Sequence, residues 1–189
     1  GALLIVGGGY ALWRQRVLLT RIAQMAGTDP LTGVSNRRQV FELGQRLMMR
    51  CQRDGRPYAM LLLDLDGFKQ VNDRFGHAAG DAALRSVTQA LRRHLRPGDH
   101  IGRYGGEEFA VILPGADAME AKTVAERLRN AVAAVAPDWA PNAAPLTLSG
   151  GIAFATPERS DFSQLLARAD QALYRAKNAG RNRIEVAPA

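Results

Sequence analysis

An apolar stretch broken only by Asp64, YAMLLLDL at residues 58–65, constrains the fold of this 189-residue chain more than any other feature. A strand whose successive side chains are apolar must be covered on both faces, as strands at the centre of a sheet are. The stretch also has the length of a strand rather than that of a buried helix. It therefore predicts a central strand inside a layered domain.

The segments around this stretch alternate between helical and extended patterns. Apolar residues three and four positions apart predict amphipathic helices over 40–51, 84–95, 124–135 and 162–173. Short runs of strand-forming residues predict strands at 100–104, 108–113, 146–154 and 183–187. Helices that alternate with strands predict an α/β domain in which helices pack against a sheet.

Composition excludes several classes of protein. Cys51 is the only cysteine, so no intramolecular disulfide can form and a reduced compartment is expected. The hydrophobic fraction of 47% and the charged fraction of 23% are those of a globular chain rather than a disordered one. A formal charge of +7 favours anionic partners, but the arginines are scattered, so no nucleic-acid partner is expected.

Residues 1–27 differ in character from the rest of the chain. The uncharged segment GALLIVGGGYALW is followed by Arg14 and Arg16, as at the cytoplasmic exit of a membrane-spanning helix. This segment is shorter than the roughly 20 apolar residues that a full span needs, so only the end of such a helix is predicted. The spacing of Leu18, Ile22 and Met25 predicts a short signalling or coiled-coil linker helix. A plain N-terminal helix or strand is the alternative for the first segment, and a helix packed on its own domain is the alternative for the second.

Gly105 and Gly106 lie between two predicted strands and indicate a two-residue hairpin turn, since glycine accepts the positive φ that such turns require. Glu107 and Glu108 follow directly. Their mutual repulsion is unfavourable unless a cation or a ligand neutralises it. A solvated hairpin tip is the alternative.

A second acidic pair, Asp64 and Asp66, ends the predicted central strand. Alternation along a strand places both side chains on one face, and strand ends are where α/β proteins hold ligands. If the hairpin neighbours this strand, Asp64 and Glu107 could share divalent cations, and all-oxygen ligands suit Mg²⁺. Carboxylates, Mg²⁺ and arginines together indicate phosphoryl transfer.

Five sequence blocks resemble those of one family. GGEEF at 105–109 is similar to the signature of the GGDEF family, the diguanylate cyclases. The other similar blocks, in the same order as in the family, are DPLTGVSNRR at 29–38, DLDGFKQVNDRFGHAAGD at 64–81, LSGGIA at 148–153 and ADQALYRAKNAGRN at 169–182. The resemblance implies a catalytic domain over 28–189 with a central, mainly antiparallel sheet flanked by helices, similar to nucleotidyl cyclases and polymerase palms.

The resemblance also implies an activity: condensation of two GTP molecules into cyclic di-GMP with release of pyrophosphate, at the interface of a homodimer. Two Mg²⁺ or Mn²⁺ ions per active site would be bound by Asp64, the Leu65 carbonyl and Glu107. Glu108 would assist the metals or accept the proton of the attacking 3′-hydroxyl.

Further roles carried over from the family concern the nucleotide. Asn72 and Asp81 would bind the guanine edge, whose N1 and N2 groups are donors that an aspartate can accept. The triphosphate would be held by Phe68 and Lys69 after the central strand and by Lys177 and Arg181. Without the resemblance, Lys177 and Arg181 would read as a basic helix end that complements the helix dipole.

RPGD at 96–99 resembles the inhibitory RxxD site of the family. Arg96 and Asp99 would bind the cyclic di-GMP product there, with Arg127 of the second subunit as a further contact. Taken alone, the stretch is an ordinary Pro-Gly turn. One departure from the family pattern is Gly150, where a bulkier residue is common, and a glycine there predicts a bulge or a close approach.

Other functions fit the sequence less well. No glycine-lysine P-loop, no G-x-S-x-G elbow and no paired His/Cys spacing for zinc is present. An inactive module that binds GTP or cyclic di-GMP is the main alternative, and a cyclase with altered base choice is another. As a family member, the chain is expected to be the cytoplasmic domain of a bacterial protein anchored in the inner membrane.

Overall fold

The computed structural model describes residues 27–155 and 161–188, so the predicted membrane exit and linker helix fall outside the described part. Within these ranges, the elements along the chain are α1 (Arg37–Arg53), β1 (Tyr58–Asp66), α2 (Phe68–Phe75), α3 (His77–Arg93), β2 (His100–Arg103), β3 (Glu108–Pro114), α4 (Ala118–Ala133), β4 (Thr147–Phe154), α5 (Phe162–Asn178) and β5 (Ile184–Val186). None of the helices in the described ranges is both long enough and apolar enough to cross a membrane.

The five strands form one sheet in the order β2-β3-β1-β4-β5. β1 pairs antiparallel with β3 on one side and with β4 on the other, and β2 pairs antiparallel with β3. Only the β4–β5 pair is parallel. The apolar run therefore forms the middle strand, and the prediction of a mainly antiparallel sheet flanked by helices is confirmed.

Alternate side chains of β1 enter two separate hydrophobic cores. Leu61, Leu63 and Leu65 pack with residues of α2, α3 and α4 on one face of the sheet. Met60 and Leu62 pack with residues of α1 and α5 on the other face. Full burial of each such side chain contributes roughly 1.5–3 kcal/mol to the stability of the fold. Burial on both faces therefore explains why β1 carries no charged residue before Asp64.

Several helices begin or end at residues other than those predicted. Leu95 and Val135 continue the apolar spacing but lie beyond the ends of α3 and α4, and Leu95 packs on the core from the loop. Helix α2 was not predicted as a separate element because its eight residues are too few to show a period. It lies between Gly67 and Gly76, whose φ values of 73° and 84° favour glycine and separate it from β1 and from α3.

Candidate active site

Two carboxylates meet at the end of β1. Asp64 is the direct cross-strand partner of Glu108, the first residue of β3. Cross-strand partners in an antiparallel pair project from the same face of the sheet, so both carboxylates lie on the α1/α5 side. Lys177, in the last turn of α5, places its Nζ 2.8 Å from Asp64 Oδ2. The structure therefore brings together three of the residues predicted for the site.

Burial makes both carboxylates weaker acids than usual. It raises the pKa of Asp64, and the hydrogen bond and charge of Lys177 offset only part of this rise. Burial also raises the pKa of Glu108, and the negative charge of Asp64 raises it further. Two desolvated carboxylates beside each other disfavour their own ionised forms. A bound cation would reverse this preference.

The loop that carries the two glycines corrects the predicted hairpin turn. Four residues, 104–107, separate β2 from β3, and neither Gly105 nor Gly106 has a φ in the left-handed range. A two-residue turn with positive φ is therefore wrong. A Cβ at Gly105 would meet Glu108 Oε2, the movable end of that side chain, so a larger residue here would displace the carboxylate. The glycine thus leaves room for the Glu108 carboxylate to fold back over the loop.

An arginine fixes this loop, and the sequence analysis did not assign it a role. Arg103 donates from Nε and Nη2 to the Gly106 carbonyl oxygen at 3.0 and 2.7 Å. Its Nη1 lies 3.3 Å from both carboxylate oxygens of Asp29. The signal was present in the sequence, since Asp29 and Arg103 belong to or adjoin the blocks DPLTG and GGEEF. Their partnership spans 74 positions and could not be read from spacing.

Glu107 and Leu65 complete the predicted metal ligands. The Leu65 amide donates to the Glu107 carbonyl oxygen at 3.3 Å, which holds the loop against the end of β1. Within residues 27–155 and 161–188, no three His, Cys, Asp or Glu side chains form a ready metal cluster. The donor set still fits Mg²⁺, which is usually bound through one or two carboxylates and completed by water and substrate phosphates.

The residues predicted to bind guanine lie on α2 and α3. Asn72 Oδ1 packs on the backbone at Gly80, where a Cβ would collide with it, and Asp81 is the next residue. Asn72 and Asp81 are both partly exposed. Phe68 and Lys69 occupy the first turn of α2, where the helix amides follow the left-handed Gly67 and no side chain caps them. The residues predicted to bind phosphate and guanine therefore extend from the end of β1 to the junction between α2 and α3.

Arg181 lies in the turn after α5, and Asp66 binds the backbone of the next residue, Asn182. The structure places Arg181 close enough to lower the pKa of Asp64, although burial outweighs this effect. The Asn182 amide donates to Asp66 Oδ2 at 3.1 Å. Asp66 was recognised as half of an acidic pair but received no role. Its hydrogen bonds to β4 and to this turn could not be anticipated without the fold.

The RPGD stretch lies at the far end of the sheet. Arg96 Nη2 contacts the carbonyl oxygen of Pro114, the last residue of β3, which pairs with Tyr58 at the start of β1. Six residues of strand separate Tyr58 from Asp64, or about 20 Å. Arg127 donates from Nε to the carbonyl oxygen of His94 at 3.0 Å, and His94 lies two residues before Arg96 in the chain. The predicted inhibitory residues therefore lie near one another and away from the carboxylates.

Within the stretch, Arg96 and Asp99 bind each other. Asp99 accepts from the Arg96 backbone amide and from Arg96 Nε, both at 3.1 Å. The Asp99 side chain is fully buried, whereas that of Arg96 is 47% exposed. A cavity of about 560 Å³ is lined by Arg96 together with Arg50, Arg56 and His100. Nothing in these contacts places a ligand here, so the inhibitory role stays a prediction.

A helix-flanked antiparallel sheet with carboxylates, a lysine and an uncapped helix start at one strand end is typical of domains that bind nucleotide phosphates. The family model for the diguanylate cyclase GGDEF domain matches residues 26–183. The chain belongs to this family, and the resemblance noted in the sequence is confirmed.

Known proteins agree with this assignment. The chain is 46% identical over 165 residues to the diguanylate cyclase DgcP of Pseudomonas aeruginosa, which covers 87% of this chain and 24% of DgcP. The crystal structure of the GGDEF domain of DgcB from Caulobacter crescentus in complex with c-di-GMP has a TM-score of 0.80 and 34% identity, covering 85% of this chain and 95% of that one.

The active GGEEF domain of a diguanylate cyclase from Vibrio cholerae is also similar, with a TM-score of 0.74 and 29% identity over 82% of this chain and 97% of that one. The chain spans less than half the length of the curated relatives it matches.

Proposed function

We propose that this chain is a diguanylate cyclase that condenses two GTP molecules into cyclic di-GMP and two pyrophosphates. The observation that carries the proposal is the pairing of buried Asp64 with partly buried Glu108 beside Lys177, at the end of β1 in a GGDEF domain. Each subunit of an antiparallel homodimer would hold one GTP, so that the two active-site halves face each other.

The residues at the end of β1 fit Mg²⁺ or Mn²⁺. Asp64, the Leu65 carbonyl, Glu107 and Glu108 would hold two ions, with phosphate oxygens completing their shells. When bound, the ions would neutralise the triphosphate and favour ionisation of the 3′-hydroxyl. The raised pKa values of Asp64 and Glu108 support this assignment, because a cation removes the electrostatic penalty that burial imposes on the two carboxylates.

Glu108 is the residue we propose for proton transfer. The 3′-oxygen of one GTP attacks the α-phosphorus of the other, the bond to pyrophosphate breaks, and Glu108 takes the hydroxyl proton. A second identical step closes the ring. A carboxylate whose pKa is raised is a stronger base than an exposed one, and this matches the requirement of general base catalysis near neutral pH.

The remaining residues would bind and orient GTP. Asn72 and Asp81 would accept from and donate to the guanine edge, which favours guanine over adenine. The amides of Phe68 and Lys69 would contact phosphate at the start of α2. Lys177 and Arg181 would contact the triphosphate, and Lys177 would then exchange its ion pair with Asp64 for one with phosphate.

Feedback inhibition by the product is a second part of the proposal. Arg96 and Asp99 would bind the guanine and phosphate groups of cyclic di-GMP, and Arg127 would add a contact. The exposed guanidinium of Arg96 beside an open cavity supports this role. The c-di-GMP bound to the similar DgcB domain is consistent with it, although that complex belongs to another protein.

Residues 1–27 lead us to propose that the domain lies on the cytoplasmic side of a bacterial inner membrane. The uncharged segment before Arg14 and Arg16 carries this proposal. Fractionation of cells that express the protein with and without residues 1–27 tests it: we expect the longer form in the membrane fraction, and equal distribution of the two forms would contradict anchoring.

Turnover by purified protein tests the central proposal. Incubation with GTP or ATP and Mg²⁺, followed by mass analysis, should yield cyclic di-GMP from GTP alone and no product with EDTA. Asp64→Asn and Glu107→Ala should nearly abolish turnover, because phosphoryl transfer depends on charge held at the metal site. Glu42→Gln, on the exposed face of α1, is the matched control and should retain activity.

Each failure of this experiment has a distinct meaning. Binding of GTP without any product would overturn the cyclase in favour of an inactive GTP- or cyclic di-GMP-binding module. Product from ATP would overturn the guanine role of Asn72 and Asp81. Substantial activity in Asp64→Asn would overturn the metal assignment.

A further inference from the structure

Asp66 lies two residues after Asp64 on the same face of β1, yet its surroundings differ. The Ser149 hydroxyl donates to Asp66 Oδ1 at 2.7 Å. The Thr147 hydroxyl donates to Oδ2 at 2.8 Å, and both donors come from β4. With the Asn182 amide at 3.1 Å from Oδ2, the carboxylate accepts three hydrogen bonds.

These hydrogen bonds use most of what a carboxylate can accept. An ionised carboxylate has about four lone-pair positions, and three of those on Asp66 have a protein donor. Asp64, by comparison, has Lys177 as its side-chain partner and is paired across the sheet with a second carboxylate. The two aspartates of one motif therefore have different tasks.

The third donor belongs to a turn of unusual conformation. Arg181 and Asn182 both have positive φ values, 61° and 46°, directly after Gly180 at 111°. Non-glycine residues adopt this region only at a cost, and they remain there when surrounding contacts hold them. The Asn182 side chain adds such a contact, because its Oδ1 accepts from Arg129 Nη1 at 2.8 Å.

Arg181 lies between the end of α5 and the Asn182 amide. Its own amide donates to the Ala176 carbonyl at 3.0 Å, which ties it to the helix that carries Lys177. On the other side, Asp66 holds the next residue against the end of β1. The position of the Arg181 backbone relative to Asp64 is thus set from both sides.

We propose that Asp66 is a positioning residue for triphosphate binding and not a metal ligand. It holds the turn at 180–182 so that Arg181 faces the nucleotide beside Asp64. This inference rests on the proposed function, because it assumes that Arg181 contacts the triphosphate of GTP.

Asp66→Asn, compared with wild type in the same assays, tests the proposal. We expect Asp66→Asn to raise the KM for GTP about tenfold and to weaken inhibition by added pyrophosphate to a similar extent, because the turn loses a charged hydrogen-bond acceptor. The Mg²⁺ concentration for half-maximal activity, measured at saturating GTP, should stay unchanged. A shift in that concentration would show Asp66 to be a metal ligand. An unchanged KM would overturn the positioning role.

A gentler variant covers the case in which Asp66→Asn does not fold. Thr147→Val removes one donor to Asp66 while keeping the shape of the side chain, and it should raise the KM by a smaller factor. Thr123→Val is the matched control, since its hydroxyl bonds only within α4, to the Met119 carbonyl. Equal KM values for the two threonine variants would contradict the proposal.

Binding of 3′-deoxy-GTP, which lacks the attacking hydroxyl, separates this inference from the cyclase proposal. Calorimetry should show weaker binding to Asp66→Asn than to wild type by about tenfold. If wild type binds the analogue but makes no cyclic di-GMP from GTP, the cyclase proposal fails and the affinities for the analogue still decide the role of Asp66. Equal affinities of wild type and Asp66→Asn would overturn it.

Discussion

Asp64 and Glu108 impose an electrostatic cost on the folded chain, because both are partly or fully removed from water and face each other across two strands. Lys177 compensates one of the two charges. The remaining cost is what a cation would relieve, so stability and function are opposed at this pair. The opposition can be measured at a single residue.

Glu108→Gln is expected to stabilise the metal-free protein at about pH 8. An acid whose pKa rises on folding binds its proton more tightly in the native chain than in the unfolded one, whose pKa is about 4.3. Stability therefore falls as pH rises between the unfolded and the folded pKa of Glu108. The stabilisation by Gln should be complete above that window and absent at about pH 4. Urea unfolding with EDTA at both pH values measures it.

Glu107→Gln is the matched control for this prediction. It removes the same charge one residue away, and the charge of Glu107 is the smallest of the influences that raise the Glu108 pKa. Its effect on unfolding should be smaller than that of Glu108→Gln. A Glu108→Gln protein that is less stable than wild type at about pH 8 would show that the carboxylate contributes more through contacts than it costs through charge.

At this scale the sequence predicted part of the site. The position of Asp64 after an apolar run and the adjacent glutamates predicted that carboxylates would meet. The spatial reason for Gly105 and the different tasks of Asp64 and Asp66 were not predictable. Both depend on side-chain positions across strands, such as the fold of Glu108 over the loop, and on the donors that β4 supplies.

Among the elements, β4 and α5 pack closely because Gly151 of β4 places no side chain between them. A Cβ at Gly151 would collide with the Ala169 carbonyl oxygen and the Leu173 amide, which are backbone atoms of α5. A Cβ at Gly150 would meet the ends of the Leu63 and Ile184 side chains, which can move. Gly150 pairs in regular register with Leu63, so the predicted close approach is present and the alternative, a bulge, is not.

Gly151→Ala should therefore destabilise the protein more than Gly150→Ala. Overpacking against backbone forces α5 away from the sheet, at a cost of about 1–3 kcal/mol, or a fall in melting temperature of about 2–10 °C. Lys177 lies at the end of α5, so the KM for GTP should also rise. Thermal unfolding of both variants measures the difference. Equal melting temperatures would show that the helix shifts without cost.

The elements were predicted well where burial imposes a period and poorly where local geometry decides. The strands follow from the sequence pattern to within one residue at each end. The four long helices follow in position, but α3 and α4 begin seven and six residues before Leu84 and Val124, the first apolar residues of their predicted spacing. Helix α2 could not be predicted, because it is too short to show a period. The conformation of the hairpin loop could not be predicted either, because Arg103 determines it. Hydrogen bonds from Arg103 to the Gly106 carbonyl hold the loop in a conformation that differs from a standard two-residue turn.

For the whole molecule, the proposed reaction needs two copies of the chain. If each subunit holds one GTP, initial rates at low protein concentration should rise with about the square of that concentration. Fusion of a parallel coiled-coil dimer before residue 27 should raise the rate at low concentration, since tethering makes the encounter intramolecular. The same fusion with polar residues at its a and d positions is the control. Strict proportionality between rate and concentration would contradict a shared active site.

The two ends of β1 separate catalysis from its proposed control. Asp64 lies at one end, and Arg96 contacts Pro114 at the other, about 20 Å away by strand length. A product molecule bound at Arg96 cannot touch the carboxylates of the same subunit. Inhibition would have to restrain the subunits relative to each other or act through the sheet, so binding and inhibition can be measured independently.

Arg96→Ala should weaken the affinity for cyclic di-GMP by about tenfold or more. Arg96 Nε is engaged by Asp99 and Nη2 contacts the Pro114 carbonyl oxygen, but the side chain is 47% exposed and can turn toward phosphate or a guanine edge. Each lost charged hydrogen bond costs about 1.5–3 kcal/mol, and the freed Asp99 carboxylate would add a repulsive charge beside the bound phosphates.

Progress curves should lose their curvature, and the rate before product accumulates reports whether the active site is intact. Arg92→Ala removes the same charge from the last turn of α3 and should leave affinity unchanged. Calorimetry with cyclic di-GMP decides between them: equal affinity of wild type and Arg96→Ala would leave RPGD as a turn that Asp99 holds for structural reasons alone.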